Sequence, residues 1–189
     1  MRQVIFSLLF LVGLISCTTQ NEKKEVAEIP PSEEEIIARG RYLVSSIGCE
    51  DCHTPKVMTD HGPVPDPENH FAGHMEGDLR DKVSKDALAN WALFNMSLTA
   101  AVGPWGITYA ANISSDESGI GTWTDEQFIR AMREGRYKGL EGTRKLLPPM
   151  PWQNFANLTD DDLKAMLKYL QSTKPIRNVV PEPVSPTEF

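Results

Sequence analysis

Apolar positions along the chain fall into three helical stripes separated by one long unpatterned stretch. Ile36, Gly40, Leu43, Val44 and Ile47 share one face at helical spacing. Ser32-Glu33-Glu34-Glu35 precedes them as a capping box, and Gly48 follows as a stop. The second stripe is Phe128, Ala131 and Met132. It is opened by the capping box Thr124-Asp125-Glu126-Gln127, stapled by Trp123 and Phe128, and closed by Gly135. The third is Leu163, Met166, Leu167 and Leu170. Thr159 caps it, three aspartates suit its positive start, Leu158 and Leu163 staple it, and Pro175 ends it. From Thr54 to Ala110 no period is sustained, apart from a short helix expected over Asp86–Asn95 with Leu88, Trp91 and Ala92 inward. No stretch alternates strongly enough to argue a sheet, so the expected class is mainly α.

The first segment reads as an address. Met1 and Arg2 precede Val4–Ile15, a run apolar except for Ser7 and Gly13, and too short to span a bilayer. Leu14-Ile15-Ser16-Cys17 resembles the lipobox of bacterial lipoproteins, in which the cysteine carries the lipid. The alternative is an ordinary secretory signal with a coincidental cysteine. The lipoprotein reading divides the chain into a signal peptide (1–16), the lipidated Cys17 with a flexible tether (17–32), a folded domain (33–174) and a Pro-rich tail (175–189) expected to wrap the surface in extended form. It also puts the protein in the cell envelope, facing the periplasm, with a weak lean to the outer membrane because Thr18 is not an inner-membrane retention aspartate.

Length and charge narrow the classes. The 189 residues make one domain with tails. Nineteen basic against 26 acidic residues leave a net charge of −7, which disfavours a nucleic-acid binder and favours partners with a basic docking patch.

The chemistry sits directly behind the first helix, at Cys49-Glu50-Asp51-Cys52-His53. The pattern C-x-x-C-H is the attachment motif of c-type haem. One helical turn separates the thiols, so each can bond a different vinyl group, and the adjacent imidazole can lie under the iron. A redox disulfide would need a βαβ context, a closed zinc site a second cysteine pair, and a structural disulfide only an oxidising compartment. Exported cysteine arithmetic favours haem: Cys17 takes lipid, Cys49 and Cys52 take haem, and no thiol is left over. Met150, between Pro149 and Pro151, is the leading sixth ligand. Met58, Met75, Met96, Met132 and Met166 read as packing or surface residues, with Met132 and Met166 in the core. His61, His70 and His74 read as solvated loop histidines.

With these residues in view the chain resembles a class I cytochrome c. More narrowly, it resembles the monohaem cytochrome c domains that accompany bacterial periplasmic dehydrogenases. One matching block runs from Ala38-Arg39-Gly40-Arg41-Tyr42-Leu43 into Cys49–His53-Thr54-Pro55. The other begins at Tyr109-Ala110-Ala111-Asn112-Ile113 and continues through Gly119–Phe128, Ala131–Gly135, Pro149-Met150-Pro151 and Leu163–Leu170. The resemblance implies a cytochrome c fold whose N- and C-terminal helices cross around one covalent haem, with Gly40 allowing close approach and Tyr169 or Leu170 nearby. It implies that Cys49 and Cys52 attach haem c, that His53 and Met150 ligate iron, and that Asn112 and Trp123 line the haem or its propionates. A backbone carbonyl, with Pro63 or Pro65 as the guess, is expected to hold the His53 ring. Many relatives carry two or three haem motifs and this chain has one, which removes an internal relay and a two-haem peroxidase.

The implied function is single-electron transfer, not catalysis, at the membrane. The partners would be redox proteins: a dehydrogenase, an oxidase or another cytochrome. A sensor or binder of small diatomic ligands is the alternative if the sixth position is open. A peroxidase would also need an acid–base group, His70 or His74, over the distal face.

Overall fold

The computed structural model describes residues 30–83 and 91–188. The leader, Cys17 and most of the tether lie outside the described residues, as does Leu88. Helix α1 (Glu33–Ser46) begins where the capping box places it. Ser32 Oγ accepts from the Glu35 amide, and the Glu35 carboxylate accepts from the Ser32 amide. Gly48 then turns the chain at φ 75° into α2 (Cys49–His53), a single helical turn. Helix α3 (Asp125–Glu134) has the reciprocal box of Thr124 and Gln127, and ends on left-handed Gly135. A short α4 (Trp152–Phe155) leads to α5 (Asp160–Gln171), capped by Thr159 and finished at Gln171, before Pro175 can act.

Helices α1 and α5 pack directly on one another. A Cβ on Gly40 would overlap the Ala165 carbonyl oxygen and stand 2.8 Å from the Tyr169 Cβ, so only glycine permits this approach. Leu43, Val44, Phe128, Met132, Leu163, Met166, Leu167 and Leu170 form the core between the helices, joined by Phe71, Ile120 and Phe155. Arg39 on α1 and Asp162 on α5 add a 2.9 Å ion pair at the rim.

The fold departs from the mainly α expectation between α2 and α3, where among the described residues five short strands form two antiparallel sheets. Strands β1 (Lys56–Thr59) and β2 (Gly62–Pro65) make an exposed hairpin. Strands β3 (Leu93–Phe94), β4 (Ala100–Gly103) and β5 (Gly106–Tyr109) make the second sheet. Neither could alternate: β1 and β2 face solvent on nearly every residue, and β4 is buried on both faces. The helix expected over Asp86–Asn95 is corrected in its described part. Leu93 and Phe94 are strand, and Trp91 is 69% exposed rather than inward.

The C-terminal segment closes this second sheet. Val184 pairs with Ile107 in an antiparallel bridge, with N–H···O distances of 2.9 and 3.0 Å in the two directions. Val102, Ile107 and Val184 form a small second core.

Candidate haem-attachment site

The α2 turn presents Cys49, Cys52 and His53 within five residues, and the two thiols are not bridged to each other. Burial pushes the Cys49 thiol up to about 12, and burial followed by the Asp51 charge raises Cys52. Such surroundings favour an uncharged sulfur over a thiolate, the form that zinc or a redox thiol requires. Among the described residues no group of three or more His, Cys, Asp or Glu is placed to hold a metal ion, so the cysteines lack the further donors of a closed zinc site.

His53 Nδ1 lies 2.7 Å from the Ala111 carbonyl oxygen. A carbonyl only accepts, so Nδ1 carries the hydrogen and Nε2 keeps its lone pair for a metal. This corrects the expectation of Pro63 or Pro65, which stand on the exposed β2. Burial also holds the imidazole below its ordinary basicity, against the smaller opposing effect of the Ala111 bond, so the neutral ligating form is favoured.

The neighbouring backbone braces the histidine from both sides. The Gly73 amide donates to the His53 carbonyl at 2.8 Å, the Phe71 amide to Thr54 Oγ1 at 3.0 Å, and the Ile113 amide to the Phe71 carbonyl at 2.9 Å. These bonds hold Phe71 at φ 63°, a left-handed conformation unusual for a bulky residue.

Lys56 is a participant that motif reading missed. Its ammonium donates to the carbonyls of Glu50, Asp51 and Thr54 at 3.3, 2.9 and 2.5 Å. It closes the C-terminal end of α2, where helix carbonyls are unpaired and the dipole is negative. A lysine three residues past the motif histidine is the only sequence signal.

Met150 is half-buried against the main core, the same cluster that Cys49 borders. Its loop is tied down at two points. The Leu146 amide donates to the Gly135 carbonyl at 2.7 Å, and Thr108 Oγ1 donates to the Pro148 carbonyl at 2.8 Å. The Trp152 ring covers Gly135 so closely that a Cβ there would overlap it. Thr108 on β5 therefore anchors the Met150 loop, and Ala111, three residues on, anchors His53. One stretch of chain thus holds both candidate ligand segments.

Asn112 is buried, and its amide donates to the Ile176 and Asn178 carbonyls and to Ser118 Oγ, so it secures the C-terminal segment. Trp123 packs on the main core. His61 is exposed, but His70 pairs with Glu50 at 2.8 Å. His74 is fully buried, so the reading of solvated loop histidines fails for His70 in part and for His74 entirely. Met132 and Met166 are core, while Met58, Met75 and Met96 are exposed.

No family model matches the chain. Among known proteins, the fructose dehydrogenase cytochrome subunit of Gluconobacter japonicus is 36% identical over 156 residues, covering 81% of this chain and 24% of that protein. The cytochrome c subunit of the quinone alcohol dehydrogenase of Gluconobacter oxydans is 30% identical over 152 residues, covering 79% and 24%. A nicotinate dehydrogenase subunit of Pseudomonas putida is 43% identical over 79 residues, 41% of this chain and 6% of that protein. The chain thus has cytochrome c subunits of dehydrogenases among its homologues. It spans about a quarter of the length of the first two.

The residues present fit a covalently held haem. Two uncharged sulfurs and one imidazole with a free Nε2 lie on a single turn beside apolar side chains, and relatives named as cytochrome c subunits imply haem c.

Proposed function

We propose that this protein is an electron carrier with one haem c, receiving electrons from a dehydrogenase and passing them to a further redox protein. The observation that carries the reading is the single-turn C-x-x-C-H whose His53 Nδ1 is committed to the Ala111 carbonyl. When bound, haem supplies a reversible one-electron change at iron. Cys49 and Cys52 hold the group through thioethers. Ala111 fixes the tautomer and direction of His53, and Lys56 keeps the α2 turn closed. Met150, held by a loop anchored at Gly135 and Thr108, would be the second protein ligand of the iron in this reading and would keep water and substrates away from it. The dehydrogenase partner is supported by the names of the relatives, and the net charge of −7 suits a partner with a basic docking patch. The Leu14–Cys17 pattern supports a lipid on Cys17, a periplasm-facing position and, more weakly, the outer membrane.

Optical spectra of wild type and Met150→Ala test the site. Wild type is expected to give low-spin c-type bands and a weak long-wavelength iron–sulfur band, and to resist CO. The variant is expected to lose that band and bind CO. A high-spin, CO-binding wild type would overturn the carrier and favour the diatomic-ligand binder. Cys17→Ser, expressed with labelled fatty acid, is expected to lose the label and leave the membrane fraction.

A further inference from the structure

Among the described residues His74 is the one histidine with no exposed surface, and it has no part in the site described above. Its Nε2 lies 2.8 Å from the Gly77 carbonyl and its Nδ1 2.9 Å from Thr99 Oγ1. Thr99 Oγ1 lies 2.7 Å from Ser97 Oγ, which lies 2.5 Å from Glu76 Oε1. Thr99 and Ser97 are buried and Glu76 is exposed, so the chain of contacts runs from solvent to a buried ring. Asn95 sets its direction. Its Oδ1 accepts from the Ala100 amide, so its NH₂ group faces Ser97 Oγ and Glu76 Oε1 and donates to both.

Counting hydrogens decides what the chain carries. Nε2 must hold a hydrogen, because Gly77 offers only a carbonyl. Three links remain: Glu76 to Ser97, Ser97 to Thr99, and Thr99 to Nδ1. Two hydroxyl hydrogens are available for them. The third must come from a protonated Glu76 carboxyl or from a second ring hydrogen on His74. Without it one buried link has two acceptors and no donor, a costly arrangement.

We propose that Glu76, Ser97, Thr99 and His74 form a one-proton site, filled from solvent at Glu76 and coupled to the redox state of the protein. The coupling rests on the electron-transfer reading above. A proton arriving on Glu76 is passed inward as Ser97 and Thr99 each accept one hydrogen and donate their own, and it ends on His74 Nδ1. No heavy-atom bond changes and no electron moves along this path. The backbone places the site beside His53, which would hold the redox centre. The His74 amide donates to the Ala110 carbonyl at 2.9 Å, the next carbonyl holds His53, and the Gly73 amide donates to the His53 carbonyl. Positive charge at His74 therefore opposes positive charge at the oxidised centre. By reciprocity, reduction strengthens the hold on the proton. Among the described residues the other ionisable groups facing His74 are Tyr109, whose ring stacks at 4.7 Å, and Asp78, which accepts from the Tyr109 hydroxyl and is paired with Arg80. Asn178, from the C-terminal segment, meets His74 through the uncharged amide that donates to its carbonyl.

The test uses the full-length protein, with nitrogen-resolved NMR of the His74 ring and midpoint potentials between pH 5 and 9. Wild type is expected to show two ring N–H groups at the acid end and one at the alkaline end, and its potential falls with rising pH across the same interval. Thr99→Val, which cuts both inner links, is expected to flatten the potential. Glu76→Gln, an isosteric change at an exposed position, is expected to move both transitions to lower pH. A single ring N–H at every pH, a flat wild-type potential, or transitions unmoved in Glu76→Gln would each overturn the proposal. A chain purified without covalent haem would sink the electron-transfer reading instead, and the ring N–H count would still decide whether the proton is there.

Discussion

The helical body and the segment between α2 and α3 are held together by different physics. The body supplies nine of the eleven buried apolar side chains of the main cluster, and its three long helices start at side-chain caps. The intervening segment lends Phe71 and Ile120 to that cluster, adds Val102 and Ile107 to a small one completed by Val184 of the C-terminal segment, and depends on polar ties: Thr54 to Phe71, His74 to Thr99, Asn178 to Ala72 and His74. Apolar burial is non-directional and tolerates adjustment. Hydrogen bonds in a small buried network are directional, and each unpaired group is costly. Substitutions in the body should therefore lower global stability. Those in the polar segment should loosen a local region and disturb the His53 and Met150 segments that it anchors.

The largest effect is expected at the point of closest helix approach. Gly40→Val inserts a branched side chain where even a Cβ overlaps the α5 backbone, and is expected to cost on the order of 3 kcal/mol or more. Thermal unfolding of the variant would check this, and a near-native melting temperature would show that α1 and α5 can separate without loss. Asn178→Ala leaves the Ala72 and His74 carbonyls without their 2.8 Å donors, at about 1–3 kcal/mol. Hydrogen exchange should rise at 71–74 and 110–113 while the α5 amides stay protected. Uniformly faster exchange would erase the contrast between the two regions.

Lys56→Met keeps the stem and removes three hydrogen bonds at the end of α2. About 1 kcal/mol is expected. The sharper readout is the His53 environment by NMR, which should broaden if Lys56 holds that turn. Arg39→Ala is expected to have the smallest effect, because half of the arginine side chain is exposed. The Arg39 hydrogen bond holds the Asp162 carboxyl below its ordinary range. The unfolded state therefore binds the proton more readily than the folded one, and the pair stabilises above about pH 4. The difference between wild type and variant in urea melts should shrink as pH falls below that value. A constant difference would mean that the arginine acts through packing alone.

Legibility followed the same division. Ser32, Thr124 and Thr159 announce their helices because a cap needs only residues within one turn. The C-x-x-C-H motif is legible for the same reason. The five strands were not, since β4 is buried on both faces and the β1–β2 hairpin on neither. The partner of His53 was also hidden, because Ala111 offers a backbone carbonyl that any residue would supply. His74 looked like a loop histidine because its partners Thr99, Gly77 and Asn178 lie 25, 3 and 104 residues away. Local spacing by itself determined the three long helices, their faces and the thiol–imidazole turn, which are short-range consequences of backbone geometry. Only the tertiary structure decided which carbonyl orients His53, which strand anchors the Met150 loop and which histidine is buried with a proton to hold. Those depend on contacts between distant segments, which no local pattern encodes.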